Sequence, residues 1–498
     1  MQTHQHPGKA RIGIQPQGEV AFGARVTALD EDGDTLIDGF SFEMALDSHV
    51  ALVGDASSGK DRAALLLARL IDNSGGKLSF GGIESEILPE AVSGRRIGFV
   101  GASTALFSAS LMNNLLYGLR QTPQGPRVFT NDEERRKQDR IQAESVKTAN
   151  SPDDVGADWV DLAQAGAEGV GGLIAAVRNA LSIADMEEDV YQLGLRGRLD
   201  PETRPQAAEH LLEARSMLEK RLAEDSYKGL VEPFERTAYN SNATVGENLL
   251  FGTPVGDAFD LERLPENEYV MKVLGEIDLI EDFLKIGHEV AQTMVELFAD
   301  LPPDHEYFSQ FSFISLDDLP DYQAILRKVD RDGLEGLEEE ERRLLLALPF
   351  KLAPARHRLG LLDGTIQARI LEARQSFAEG LPEELAGAVE FFDRDRYNAA
   401  SSLQDNILFG KLSYGRAQAQ AKIGDLISEV IESLNLRSDV VEVGLDFEVG
   451  IGGSRLSPAQ RQKTAIARSI LKRPQVMVMA EATAALDGST QTTILNKV

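Results

Sequence analysis

The sequence predicts an α/β fold whose core is interrupted by a long, mostly α-helical insertion, and three observations carry that expectation. Near the N-terminus an apolar run, a glycine turn, a helical stretch and a second apolar run follow one another, the order that α/β folds require. From about Gln121 to Glu390 the chain becomes acidic and helical in pattern. Over the final stretch the strand-and-helix character returns, with an apolar run that ends at a glutamate.

The bulk composition bounds the answer. At 498 residues the chain is too long for one compact core, so two or three units are expected. A hydrophobic fraction of 42% and a charged fraction of 26% are those of an ordinary folded, water-soluble chain. The formal net charge of -29 argues against non-specific binding to nucleic acid or to anionic membranes, so no nucleic-acid partner is expected. Without cysteine there are neither disulfides nor thiolate metal sites, which is compatible with the cytosol. No stretch reaches the roughly 18 apolar residues of a spanning helix, and the opening "MQTHQHPGKARIG" lacks the apolar run of a signal peptide. Any service to a membrane is therefore expected from its cytoplasmic side, through a partner.

In chain order, "HVALVG" reads as a buried strand, "DRAALLLARLI" as the helix after the glycine turn and "RRIGFV" as the next strand. Between the first two lies "LVGDASSGKD", Leu52 to Asp61, which matches Gly-x-x-x-x-Gly-Lys from Gly54 to Lys60. In a phosphate cradle the amides of Gly54, Asp55, Ala56, Ser57, Ser58 and Gly59 point inward at a helix N-terminus, and Lys60 neutralises phosphate oxygens. Asp61 stands where a magnesium-binding hydroxyl belongs. The competing reading is a tight strand-to-helix turn with a solvated lysine.

The middle of the chain contributes helices and a repeat. "PQAAEHLLEARSMLEKRLAED" places Leu211, Leu212, Ala214, Met217 and Leu218 near helical spacing, as a core-facing stripe. "DRDGLEGLEEEE" has Leu334 and Glu335 where a calcium loop needs a ligand and its turn glycine, so it reads as a solvated acidic turn. One short pattern occurs three times, as "SLMNNLLYG" ending at Gly118, "TVGENLLFG" ending at Gly252 and "SLQDNILFG" ending at Gly410. The second and third are also preceded by "YNSNA" and "YNAAS" at matching offsets, which points to duplication of a segment, spaced too widely for a regular solenoid.

The tail reads "IGGSRLSPAQRQKTAIARSILKRPQVMVMAEATAALDGST". Within "LSPAQ", Ser457 as N-cap, Pro458 at the first helical position and Gln460 two residues later have the pattern of a capping box. "QVMVMA" reads as a buried strand that delivers Glu481. Taken with the glycine loop, this ordered tail resembles the ATP-binding cassette of ABC transporters, over roughly residues 20–118 and 396–498. The resemblance implies an α/β, P-loop NTPase core of the ABC cassette type with a helical subdomain, using ATP and Mg2+. It implies that Gly54 to Asp61 bind ATP and that Glu481 is the catalytic base orienting the attacking water. Leu456, Ser457, Pro458, Ala459 and Gln460 would form the signature that reaches the ATP of a second nucleotide-binding domain in a head-to-tail dimer, and Asp487 the dimer-contact turn. A transmembrane domain or subunit is the implied partner, hydrolysis driving transport the implied activity, and the cytoplasmic face of a membrane the implied location.

Several positions depart from the family pattern. Asp61 and Ala480 replace residues that hold magnesium, Ala102 stands in place of a metal-sensing glutamine, and Pro458 and Ala459 remove an amide donor and a glycine from the signature. Asp61 either supplies a metal ligand itself or repels phosphate. The expected domains are 1–118, the first part of the core with the phosphate loop; 119–395, an acidic helical insertion placed to contact a partner; and 396–498, the signature subdomain and the rest of the core, ending before the family's switch histidine. The alternative to an active transport ATPase is a degenerate cassette with little hydrolysis and a regulatory or structural role.

Overall fold

The structure, a computed structural model, describes residues 26–29, 35–41, 43–45, 48–55, 57–298, 314 and 317–498. It divides into two compact units, one formed by Met1–Leu193 with Gly444–Val498, the other by Gly194–Val443. Both divisions fall further along the chain than the compositional boundaries near 118 and 395.

In the first unit the two ends of the chain meet in a parallel strand pair, Ile97–Val100 with Val476–Met479, in register from Ile97 opposite Val476 to Val100 opposite Met479. Both strands are short and apolar, as buried parallel strands are. The helix Lys60–Leu67 lies against them, and its Ala63, Leu66 and Leu67 share one apolar cluster with Ile97, Val476, Leu78 and Phe80. The expected strand and helix at "RRIGFV" and "DRAALLLARLI" are thus present. The expected strand at "HVALVG" is not: residues 48–55 are irregular and Val53 is 91% exposed. An apolar run becomes a strand only when a neighbour supplies ladder hydrogen bonds, and among the described residues every sheet is two-stranded.

The helix Pro458–Leu471 packs on Ile97–Val100, on the short helix Leu111–Leu116 and on the helix Gly169–Ile183. Its buried face carries Ala465, Ile466, Ala467 and Leu471, at helical spacing, together with the polar Gln462 and Thr464.

The second unit is helical, with four short strands among the described residues, and it carries the repeat. Each of its two copies runs strand, loop, short capped helix, strand: Val231–Pro233, Val245–Leu250 and Gly252–Pro254 in one, Val389–Phe391, Leu403–Leu408 and Gly410–Leu412 in the other. The first strand of each copy pairs antiparallel with the second strand of the other. That reciprocal pairing relates the copies by an approximate two-fold axis. Phe234 and its counterpart Phe392 stack at 4.2 Å, and each meets Phe251 and Phe409 edge-on.

Each copy is locked by an arginine from a long helix. Arg374, on Gly364–Glu379, donates to the carbonyls of Glu235, Arg236, Ala238 and Asn248 and to Asn248 Oδ1, and its guanidinium lies 4.5 Å from the Phe251 ring centre. Arg215, on Pro205–Leu222, repeats the pattern on Asp393, Arg394, Arg396 and Asn406, over Phe409. Burial pushes both guanidinium groups down to about 10, which leaves them charged at neutral pH. The stripe expected on Pro205–Leu222 buries Leu211, Ala214 and Leu218, with Arg215 buried beside them and Leu212 and Met217 at its margin.

Candidate active site

The glycine loop turns back on itself. Asp55 Oδ1 accepts from the Ser57 amide at 3.1 Å and from the Ser57 hydroxyl at 2.9 Å, while the Asp55 carbonyl accepts from the Ser58 amide at 3.2 Å and the Ser58 hydroxyl at 2.7 Å. A Cβ on Gly54 would lie 2.3 Å from Ser58 Oγ, so this turn admits only glycine there. Gly59, at φ 76°, is the left-handed cap of the helix that Lys60 opens. Lys60 Nζ lies 3.4 Å from Asp61 Oδ2, both partly exposed. Asp61 is thus the side-chain neighbour of the lysine. Ala56 lies outside the described residues.

Ala480 prolongs the parallel ladder by donating its amide to the Val100 carbonyl at 2.9 Å. Ala102 and Glu481 consequently sit just past the same carboxyl-terminal strand ends, the place where open parallel sheets bind ligands. Neither alanine offers a ligand atom. Glu481 is exposed, holds a left-handed backbone with φ 54°, and its carboxylate has no partner among the described residues. Asp487 caps the helix Gly488–Lys497, accepting from the amides and hydroxyls of Ser489 and Thr490, and these bonds hold its carboxyl well below the usual range.

The signature forms the expected capping box. Ser457 Oγ accepts from the Gln460 amide at 3.1 Å and the Ser457 amide donates to Gln460 Oε1 at 3.0 Å, with Pro458 in the first turn. Leu456 is buried beneath it, while Pro458 is exposed and Ala459 half-buried. Gln460 Nε2 is also engaged, donating to Asp189 Oδ1 at 3.1 Å, and Lys463 reaches Asp189 Oδ2 at 2.9 Å and the Asp185 carbonyl at 2.7 Å.

Two residues absent from the sequence reading, Gln462 and Asp189, help build this region, as does the side chain of Asp55, which that reading placed in the loop by its amide alone. Gln462 bonds the turn that follows Glu481, Asp189 orients Gln460, and Asp55 shapes the glycine loop. Gln462 left one signal, a glutamine on the core-facing side of an apolar helix. The helix Lys60–Leu67, the strand leading to Glu481 and the helix Pro458–Leu471 all belong to the first unit. Among the described residues no group of three or more His, Asp or Glu side chains is arranged to hold a metal ion.

Comparison with known proteins bears on what this arrangement is. The chain is 37% identical over 92 residues to an ATP-dependent lipid A-core flippase of Xylella fastidiosa, 18% of this chain and 14% of the relative. It is 32% identical over 131 residues to an ATM1-type heavy metal exporter of Novosphingobium aromaticivorans, 26% of this chain and 20% of the relative. Over these stretches the chain is similar to members of the ABC transporter family. A heterocyst differentiation ATP-binding protein of Nostoc shares 34% identity with it over 107 residues, 21% of this chain and 16% of the relative. No family model matches the chain. The match spans about a fifth or less of these relatives' lengths, and among the described residues no helix is long and apolar enough to cross a membrane.

Proposed function

We propose that this chain is the ATP-binding subunit or domain of an ABC transporter, with a P-loop NTPase core split by a helical insertion near residues 119–395, and that it hydrolyses ATP at a site made from its two ends. The observation that carries the reading is the parallel strand pair: the helix opened by Lys60 packs on the same two strands whose far ends present Glu481. In this reading the Lys60 ammonium and the amides from Gly54 to Asp61, with those of Ser57 and Ser58 released from Asp55, hold the phosphates, displacing Asp61 from the lysine. Glu481 accepts a proton from the attacking water, Ser457 and Gln460 contact the nucleotide of a second copy in a head-to-tail dimer, and Asp487 shapes the dimer contact. Magnesium, when bound with the nucleotide, neutralises phosphate charge. Asp61 is the side chain proposed to touch it, since Ala102 and Ala480 have no ligand atoms. A transmembrane domain on the cytoplasmic side of a membrane is the proposed partner.

The close approach of Lys60 to Asp61 and the two alanines favour slow turnover, so a hydrolysis-poor regulatory cassette is the second reading. Titration of the purified chain with ATP, with and without magnesium and beside Lys60→Ala, tests the binding claim. Magnesium-assisted binding that falls at least tenfold in Lys60→Ala is expected. Equal binding by Lys60→Ala would overturn the assignment of the loop.

A further inference from the structure

Gln462 lies on the helix that Ser457 caps and Gln460 shares, is 1% exposed, and bonds both the nitrogen and the oxygen of its amide to the turn after the strand Val476–Met479. Its Nε2 donates to the Glu481 carbonyl at 3.1 Å, and its Oε1 accepts from the Ala485 amide at 2.8 Å. These two bonds bracket the Glu481–Ala485 turn. Within the turn Glu481 holds a left-handed φ of 54°, a conformation that a residue with a side chain keeps only where its surroundings impose it. A buried amide is costly unless both of its ends are bonded, and a methionine would fill the same volume without that cost. The amide is thus explained by the turn rather than by packing.

We infer that Gln462 is the positioning residue of the Glu481 turn, fixing where the carboxylate sits and tying it to the signature helix. The inference rests on the reading of Glu481 as the base. Since the Glu481 carboxylate has no partner among the described residues, the hold on this residue is through its backbone, and the Glu481 carbonyl is what Gln462 grips. Ser457 and Gln460 stand at the N-terminal end of that helix, so a displacement of the signature on meeting a nucleotide is delivered to the base through one side chain. Gln462, 1% exposed, acts in this proposal through Glu481.

Two variants of the full chain separate this role from simple packing. Gln462→Met fills the core and leaves both turn groups unbonded. Gln462→Glu retains the acceptor for the Ala485 amide and loses the donor to the Glu481 carbonyl. Hydrogen exchange over residues 482–487, ATP affinity and the rate of phosphate release are measured for each, with circular dichroism as the check on folding. Exchange at Ala485 is expected to quicken at least tenfold in Gln462→Met and to stay near wild type in Gln462→Glu. Phosphate release should fall at least tenfold in both, with ATP affinity within threefold. Unchanged exchange in a folded Gln462→Met chain would overturn the inference, as would full turnover with a loosened turn. A wild-type chain that binds ATP without releasing phosphate would instead defeat the reading of Glu481 as a base. The exchange result would then still decide whether Gln462 holds the turn.

Discussion

The segment ending at Gly118 and the two ending at Gly252 and Gly410 share an asparagine that clamps a capped six-residue helix to the loop before it. Asn114, Asn248 and Asn406 each take an amide proton on Oδ1, from Phe107, Asn240 and Asn398, and return Nδ2 to the carbonyl of that same residue. After the helix the copies part. Phe251 and Phe409 turn left-handed, at φ 44° and 42°, and lie under Arg374 and Arg215 at the two-fold axis. Tyr117 stays helical at φ -55°, is half exposed and rests on Phe107 at 4.3 Å. In the second unit the repeated element completes a pair. In the first it stands singly, packed on the helix Pro458–Leu471, whose Arg468 reaches the Ala105 carbonyl at 3.1 Å. The same local sequence therefore gives the same clamp, while the arginine lock and the left-handed aromatic depend on a second copy.

The comparison breaks most sharply at the arginines. Arg374→Met or Arg215→Met leaves several buried carbonyls without a donor and should cost about 3 kcal/mol in urea denaturation of the full chain. Arg468→Met removes a single carbonyl contact and should cost about 1 kcal/mol. Equal losses at Arg468 and Arg374 would remove the distinction drawn between the units.

A pH effect follows for the second unit. Burial, with Arg356 beside it, pushes His357 from 6.5 down to about 4, and its Nδ1 accepts from the Ala353 amide at 2.9 Å. A folded value below the unfolded one means that this contribution is complete above pH 6.5 and is lost as pH falls toward about 4. The loss is at most about 3 kcal/mol. Denaturation midpoints followed from pH 7 to 4.5 should show it, and His357→Gln should flatten the profile in that window.

Smaller effects sharpen the shared element. Asn114→Ala, Asn248→Ala and Asn406→Ala should each cost about 2 kcal/mol, since each strands a buried amide and carbonyl. A negligible effect at Asn114 alone would show that the first copy is a lookalike. Ser457→Ala should cost about 1 kcal/mol through loss of the capping box, read in the same denaturation series.

How far the sequence reached depended on whether a feature was local. The capping box at Ser457, the strands at Ile97 and Val476 and the repeat at Gly118, Gly252 and Gly410 were legible because spacing and residue type determine them. The irregular course of "HVALVG" was not, since apolar character says nothing of whether a neighbouring strand is there to pair with it. Arg215 and Arg374 were hidden for a related reason. Each reads as a polar position on an amphipathic helix, and its carbonyl partners lie far away in sequence. Gln462 was hidden likewise, since its partners on the turn after Glu481 lie about twenty residues further along the chain.

The account turns on Glu481 acting with the phosphate loop in one site. The most direct test is phosphate release at saturating magnesium and ATP, comparing wild type with Glu481→Gln at matched nucleotide occupancy. Release by the wild-type chain, slowed at least a hundredfold in Glu481→Gln with ATP affinity unchanged, is the predicted result. Equal release by the two chains would contradict it.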